Sequence, residues 1–182
     1  MSHHSQNSIT GKHVVILLLL TNAVYALMLL KTIPMVMSYA GNMKLPDMMP
    51  TGYNAAYINE LMQQLGEEGR HIYLTRQLPV DMVYPFLFGA CYAYLTAYFL
   101  LQLDKLNGWW RLFIFFPVAG GLFDYAENIG VVRMLNAYPN ISNSLTAYTS
   151  LFTVLKSAFT TISFTVLIMF FAGWVGRKFW KK

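Results

Sequence analysis

Two carboxyls and an amide, Asp124, Glu127 and Asn128, stand in a segment, residues 112–135, that otherwise reads as membrane-spanning. On a helix their i, i+3, i+4 spacing places all three on one face. A centred Asp costs about 2.5 to 3.5 kcal/mol to insert, whereas each Leu, Ile, Phe or Val returns only about 0.3 to 0.6, so the apolar neighbours barely offset two acids. Such a helix needs partners inside the protein. Carboxyls in unlike surroundings can act as acid and base, and a cluster of them can hold the polar end of a ligand.

Helical geometry favours Lys156 as the counter-ion. Asp124 falls about 16 Å and Glu127 about 12 Å below Leu135, and Lys156 about 16 Å below Leu145, at about 1.5 Å per residue. Lys156 also belongs to a polar stripe, Thr149, Thr153, Lys156, Thr160 and Ser163, that should face inward. Arg133 is the second choice. Two acids against one base leave a charge to neutralise, either by protonation or by an outer-loop cation, Arg70 or Arg76, folding down onto the layer. Asp81 joins the rim, and Tyr73, Tyr84 and Tyr125 are candidate hydroxyl donors. Pro85 and Pro117 could kink their helices and open space nearby.

The elements that position these residues are apolar helices. Hydrophobic residues make up 56% of the chain and charged ones 12%, against about 25% charged in soluble domains. The expected fold is all-α: a four-transmembrane-helix bundle forming a single integral membrane domain over residues 1–182. The spans fall at about 14–37, 80–103, 112–135 and 145–175, the last long enough to tilt or to end in the interface. Within the first span, Asn22 should bond to a neighbouring helix, and Lys31 should snorkel to the interface near Pro34.

The outward connection, about 41–79, contains a short amphipathic helix in which Ile58, Leu61, Met62 and Leu65 fall at i, i+3, i+4 and i+7. Gly66 can end it, with a second helix from Glu67 to Gln77. The pair would cap the bundle at the interface or form a lid over a cavity. Gly89, Ala93 and Ala97, four apart in the second span, allow a close helix approach.

The formal net charge is +5, but the basic residues follow topology and form no nucleic-acid surface. Lys12, Lys105, Arg111, Arg177, Lys178, Lys181 and Lys182 share one side of a four-span chain, which puts both termini in the cytoplasm. Trp109, Trp110, Trp174 and Trp180 mark the same interface. Ser38-Tyr39-Ala40 resembles a signal-peptidase site, yet the apolar run before it is too long and Lys31 interrupts it. The single cysteine, Cys91, excludes an intrachain disulfide and reads as a buried apolar residue. His3 and His4 are too few for a metal site, and His13 and His71 fall on opposite membrane sides, so neither metal nor cofactor is expected. No nucleotide-binding, protease or redox motif occurs. Asn140-Ile141-Ser142 matches a glycosylation acceptor on the outward side.

Leu65-Gly66-Glu67-Glu68-Gly69-Arg70 with Tyr73, then Asp81 and Tyr84-Pro85, then Phe123-Asp124-Tyr125-x-Glu127-Asn128, Tyr138-Pro139 and Phe152-Thr153-x-x-Lys156 resemble an uncharacterised family of four-span, mostly bacterial integral membrane proteins. The resemblance covers residues 53–156. It implies the fold, a bacterial inner membrane and these site residues, but no activity. The layout is also similar to that of sterol-isomerase-like and sterol-binding membrane proteins, without a match to their acidic motifs.

Three functions remain open from the sequence. The first is binding of a lipid or small hydrophobic molecule at Asp124, Glu127, Asn128, Lys156, Asp81, Arg70, Tyr73 and Tyr125. The second is a lipid-modifying enzyme with Asp124 and Glu127 as acid and base. The third is an accessory subunit docking on a membrane-protein partner, or on a second copy of itself, through Gly89, Ala93 and Ala97. A structural ion-pair network fixing helix register competes with all three.

Overall fold

The computed structural model describes residues 9–180; His3, His4, Lys181, Lys182 and most of the polar N-terminal tail lie outside them. The described residues are helical with no strand. Five long helices order the described residues: α1 (Gly11–Met37), α2 (Ala55–Ile72), α3 (Tyr84–Gln102), α4 (Phe115–Ala137) and α5 (Asn143–Trp180). Three stretches are long and apolar enough to cross a membrane: Gly11–Met37, Ala55–Gln102 and Asn143–Phe179. The 23-residue α4 has the length without the composition, because its carboxyls, Asn128 and glycines dilute the apolar residues. It is wedged between α3 and α5 and buries Asp124, Glu127 and Asn128.

Prolines shape both ends of this arrangement. In α1 a π-helical turn, Met28–Thr32, precedes Pro34. Proline lacks an N–H and its ring collides with the carbonyl four residues back, so widening the turn relieves the clash. The same solution recurs at Tyr73–Gln77, before Pro79. The two π turns face each other, and Thr32 Oγ1 donates to Gln77 Oε1 across them. Pro85 and Pro117 do not act as kinks. Pro85 opens α3, and Pro117 is the third residue of α4, in first turns where a missing N–H costs nothing. Residues 112–114, expected inside the third span, belong instead to a 3₁₀ segment, Trp109–Ile114.

The first connection is more structured than a loop. Asn54 caps α2, its side chain accepting from Tyr57 N at 2.9 Å. Ile58, Leu61 and Met62 are fully buried and Leu65 nearly so, as their periodicity predicts. Gly66 breaks the helix at φ 63°, ψ −173°, a conformation essentially restricted to glycine. The apolar face of α2 packs on Val36, Ala40 and Leu45 and on Val131, Met134 and Leu135 of α4. It therefore completes the core at this end. A second cluster, Phe99, Leu100, Leu167 and Phe170, bordered by Trp110 and Trp174, fills the other end. Along α5 the polar residues Thr153 and Lys156 fall between the two.

Glycines allow α4 to sit this deeply. A Cβ on Gly121 would lie 2.6 Å from the Pro85 carbonyl oxygen, and one on Gly130 would strike the Thr149 side chain. Gly89, the first of the three small residues of α3, approaches the Pro117–Val118 backbone of α4. Cys91 is buried and unpaired. Asn22 makes no interhelical bond; it donates to Leu18 O in its own helix at 2.8 Å. Thr21 instead crosses between helices, donating to Leu87 O at 3.3 Å.

Candidate ligand-binding site

Lys156 lies among three carboxyls. Its Nζ is 2.8 Å from Asp47 Oδ1 and 3.3 Å from Asp124 Oδ1, and it pairs closely with Glu127 Oε2. Thr153 Oγ1 donates to Glu127 Oε1 at 2.6 Å and stands 3.3 Å from the Tyr53 hydroxyl. Thr149, Thr153 and Ser163 are buried, so the polar stripe of α5 does face inward.

Asp47 arrives from a 3₁₀ turn, Pro46–Met48, that precedes α2. The segment after it is fastened to α5, since Tyr53 N donates to Ser150 Oγ at 2.8 Å. Gly52, at φ 86°, is needed there because a Cβ would come within 2.6 Å of that same oxygen. Burial pushes the Tyr53 phenol above its ordinary range, so it stays a proton donor.

The first connection thus brings an acid to the layer where the charge tally called for a cation. Arg70 stays away: its Nη1 donates to Met62 O at 2.7 Å and its guanidinium stacks on Tyr138 at 4.3 Å. Arg76 and Arg133 are exposed and make no ion pair among the described residues. Asp81 is buried beside the cluster, 3.5 Å from Gln77 Nε2, and its backbone carbonyl accepts from Asn128 Nδ2 at 3.4 Å. Three carboxyls, Asp47, Asp124 and Glu127, therefore share one ammonium, and a fourth, Asp81, lies beside them with no ion pair among the described residues.

A cavity of about 280 Å³ opens against this layer. Asp47, Asp81, Asp124 and Lys156 form its polar end; Tyr25, Met28, Leu29, Ile33, Tyr84 and Phe88 form apolar walls, and Gly120, Ser157 and Thr160 complete it. Tyr25 and Leu29 are also 42% and 46% exposed, so the cavity opens to the surface beside α1. Glu127 and Asn128 stand behind the wall as supports. Tyr73 is fully buried with its hydroxyl unpartnered. Tyr125 lines a different cavity with Pro85, Phe86 and Gly121. Carboxylate oxygens of Asp47, Asp124 and Glu127 lie within 4.8 Å of one another, close enough to hold a metal ion, but the Lys156 ammonium already bonds all three.

Sequence reasoning missed Asp47, Thr32, Gln77 and Tyr53. Asp47 did carry a signal: it stands alone among Leu45, Met48 and Met49 between two prolines, an apolar setting for a solvated acid. Thr32 and Gln77 carried none, because their pairing depends on two π turns that periodicity does not reveal. Comparison of the chain with protein-family models, with curated proteins and with solved structures found no match.

Proposed function

We propose that this is a four-span protein, with both termini cytoplasmic in a bacterial inner membrane, that binds a lipid or similar amphipathic molecule in the cavity between α1, α3, α4 and α5. The observation that carries the reading is the cavity itself: charged at one end, walled by aromatic and aliphatic side chains, and reaching the exposed face of α1 at Tyr25 and Leu29. A network serving only to lock helix register would be fully packed. Support for α4 as the fourth span comes from Phe115, Leu122 and Ile129, seven apart and 64%, 64% and 48% exposed, which give it an apolar outer stripe.

Native mass spectrometry of the purified protein tests the binding. Co-isolated lipid is expected, and Ile33→Trp, which fills the cavity from its apolar wall, should abolish it without lowering thermal stability. Absence of any bound molecule in the unaltered protein would overturn the proposal. Reporter fusions at each terminus test the topology, and an outward reading at either end would refute it.

Acid–base chemistry on the bound molecule is a second reading, favoured by the unlike surroundings of two cavity carboxyls. Asp124 pairs with Lys156, while Asp81 meets only an amide. Asp81→Asn should then abolish turnover of a bound lipid while leaving its binding measurable.

A further inference from the structure

We propose that the polar end of the molecule in this cavity is a protonated amine on a hydrocarbon body, with no phosphate or carboxylate beside it. The inference rests on the reading of the cavity as a binding site. Asp47, Asp81 and Asp124 line the polar end, and its one cation, Lys156, is already divided among Asp47, Asp124 and Glu127. An anionic head group would face three like charges with no cation left to receive it.

Asp81 is the independent observation. It is 2% exposed, lines the cavity, and has no cation within ion-pair distance among the described residues. Its one side-chain contact is the Gln77 amide at 3.5 Å, and Gln77 is itself held by Thr32. A buried carboxyl without a counter-charge is costly unless it takes a proton or a cation, and the cavity offers the route for the second. Nearby, Tyr25 and Tyr84 stack with ring centroids 5.4 Å apart and Phe88 lies 5.9 Å from Tyr84. Aromatic faces beside carboxyls suit an ammonium and its attached methylenes.

The test uses the full chain in dodecyl maltoside with decylamine, decanol and decanoate, each titrated at matched mole fraction in the detergent and read by thermal unfolding. Decylamine is expected to bind about tenfold more tightly than decanol, with decanoate weakest. Asp81→Asn should erase most of that preference; Tyr25→Leu, at the rim and outside the charge layer, should weaken the amine several-fold and serves if the first variant does not fold. Decanol or decanoate binding as well as decylamine would overturn the amine assignment while leaving the cavity a binding site. So would an undiminished preference in both variants. No effect from any of the three amphiphiles would overturn the binding reading itself. Mass spectrometry of the purified protein separates the sources: a co-isolated amine-bearing lipid without phosphate or carboxylate, or a cavity that fills only on adding soluble amine, each supports the assignment, whereas a phospholipid or fatty acid co-isolated in the cavity overturns it.

Discussion

Asp47 Oδ1 lies 2.8 Å from Lys156 Nζ although 109 residues separate them, so an acid from the first connection closes onto a base in the N-terminal half of α5. Lys156 carries the larger share of this relationship because it neutralises three carboxyls at once. Lys156→Met should cost about 3 to 5 kcal/mol, as expected when one partner of a buried ion pair is removed. Asp47→Asn should cost clearly less, since Asp124 and Glu127 still hold the ammonium. In the Asp47→Asn background, Lys156→Met should be milder than alone. Thermal unfolding of the four proteins in one detergent checks the cycle; equal costs for the two single changes would contradict it.

Helix packing leads to a second prediction that separates backbone from side-chain crowding. Gly121→Ala drives a methyl to 2.6 Å from a carbonyl oxygen, and Gly130→Ala drives one into Thr149. Each should cost about 1 to 3 kcal/mol by overpacking. Thr149→Ala should rescue Gly130→Ala, because the obstacle is a side chain that can be removed. No truncation of a neighbouring side chain should rescue Gly121→Ala, whose obstacle is the Pro85 backbone. Unfolding temperatures of the paired variants distinguish the two cases.

Much of this arrangement was legible in the sequence. The helical class, the buried face of α2, the break at Gly66, the inward stripe of α5 and the meeting of Asp124 and Glu127 with Lys156 all follow from periodicity and from counting depth along helices. Such signals are local to one helix or depend only on rise per residue. The arrival of Asp47 was not legible, because a turn of three residues has no period and its direction is set by where Leu45 and Tyr53 are anchored. Arg70 was misplaced for a related reason. Charge balance argued for a cation at the layer, but the guanidinium found a carbonyl and an aromatic face within its own end of the bundle.

Gly66 supports a third prediction that concerns backbone alone. Nothing lies within 4 Å of a Cβ built there, so Gly66→Ala meets no obstacle, yet φ 63° with ψ −173° is closed to alanine. The cost should be about 1 to 3 kcal/mol. Gly176→Ala, equally unobstructed but inside α5, should be neutral or stabilising by up to about 1 kcal/mol. Opposite signs for two equally open glycines are the outcome to measure by thermal unfolding; equal losses would mean that the Gly66 conformation is not what matters.

The contact between the two π turns yields the last prediction. Thr32 donates to Gln77 Oε1, and among the described residues the Gln77 amide is the one side-chain donor to the Asp81 carboxyl. Thr32→Val removes one donor and leaves one buried acceptor open, at a cost of about 1 to 3 kcal/mol. Gln77→Leu should cost more, because it strips the Thr32 hydroxyl of its acceptor and Asp81 of its only donor at the same time. Adding Thr32→Val to Gln77→Leu should then recover part of the loss, since the orphaned hydroxyl is gone, while Asp81 remains uncompensated. Adding Asp81→Leu to Gln77→Leu should recover a further part, unless Asp81 is held by a ligand cation. Stability measured with and without added decylamine separates these cases: the amine should stabilise Gln77→Leu more than the unaltered chain, and should stabilise the variant that lacks Asp81 no more than decanol does.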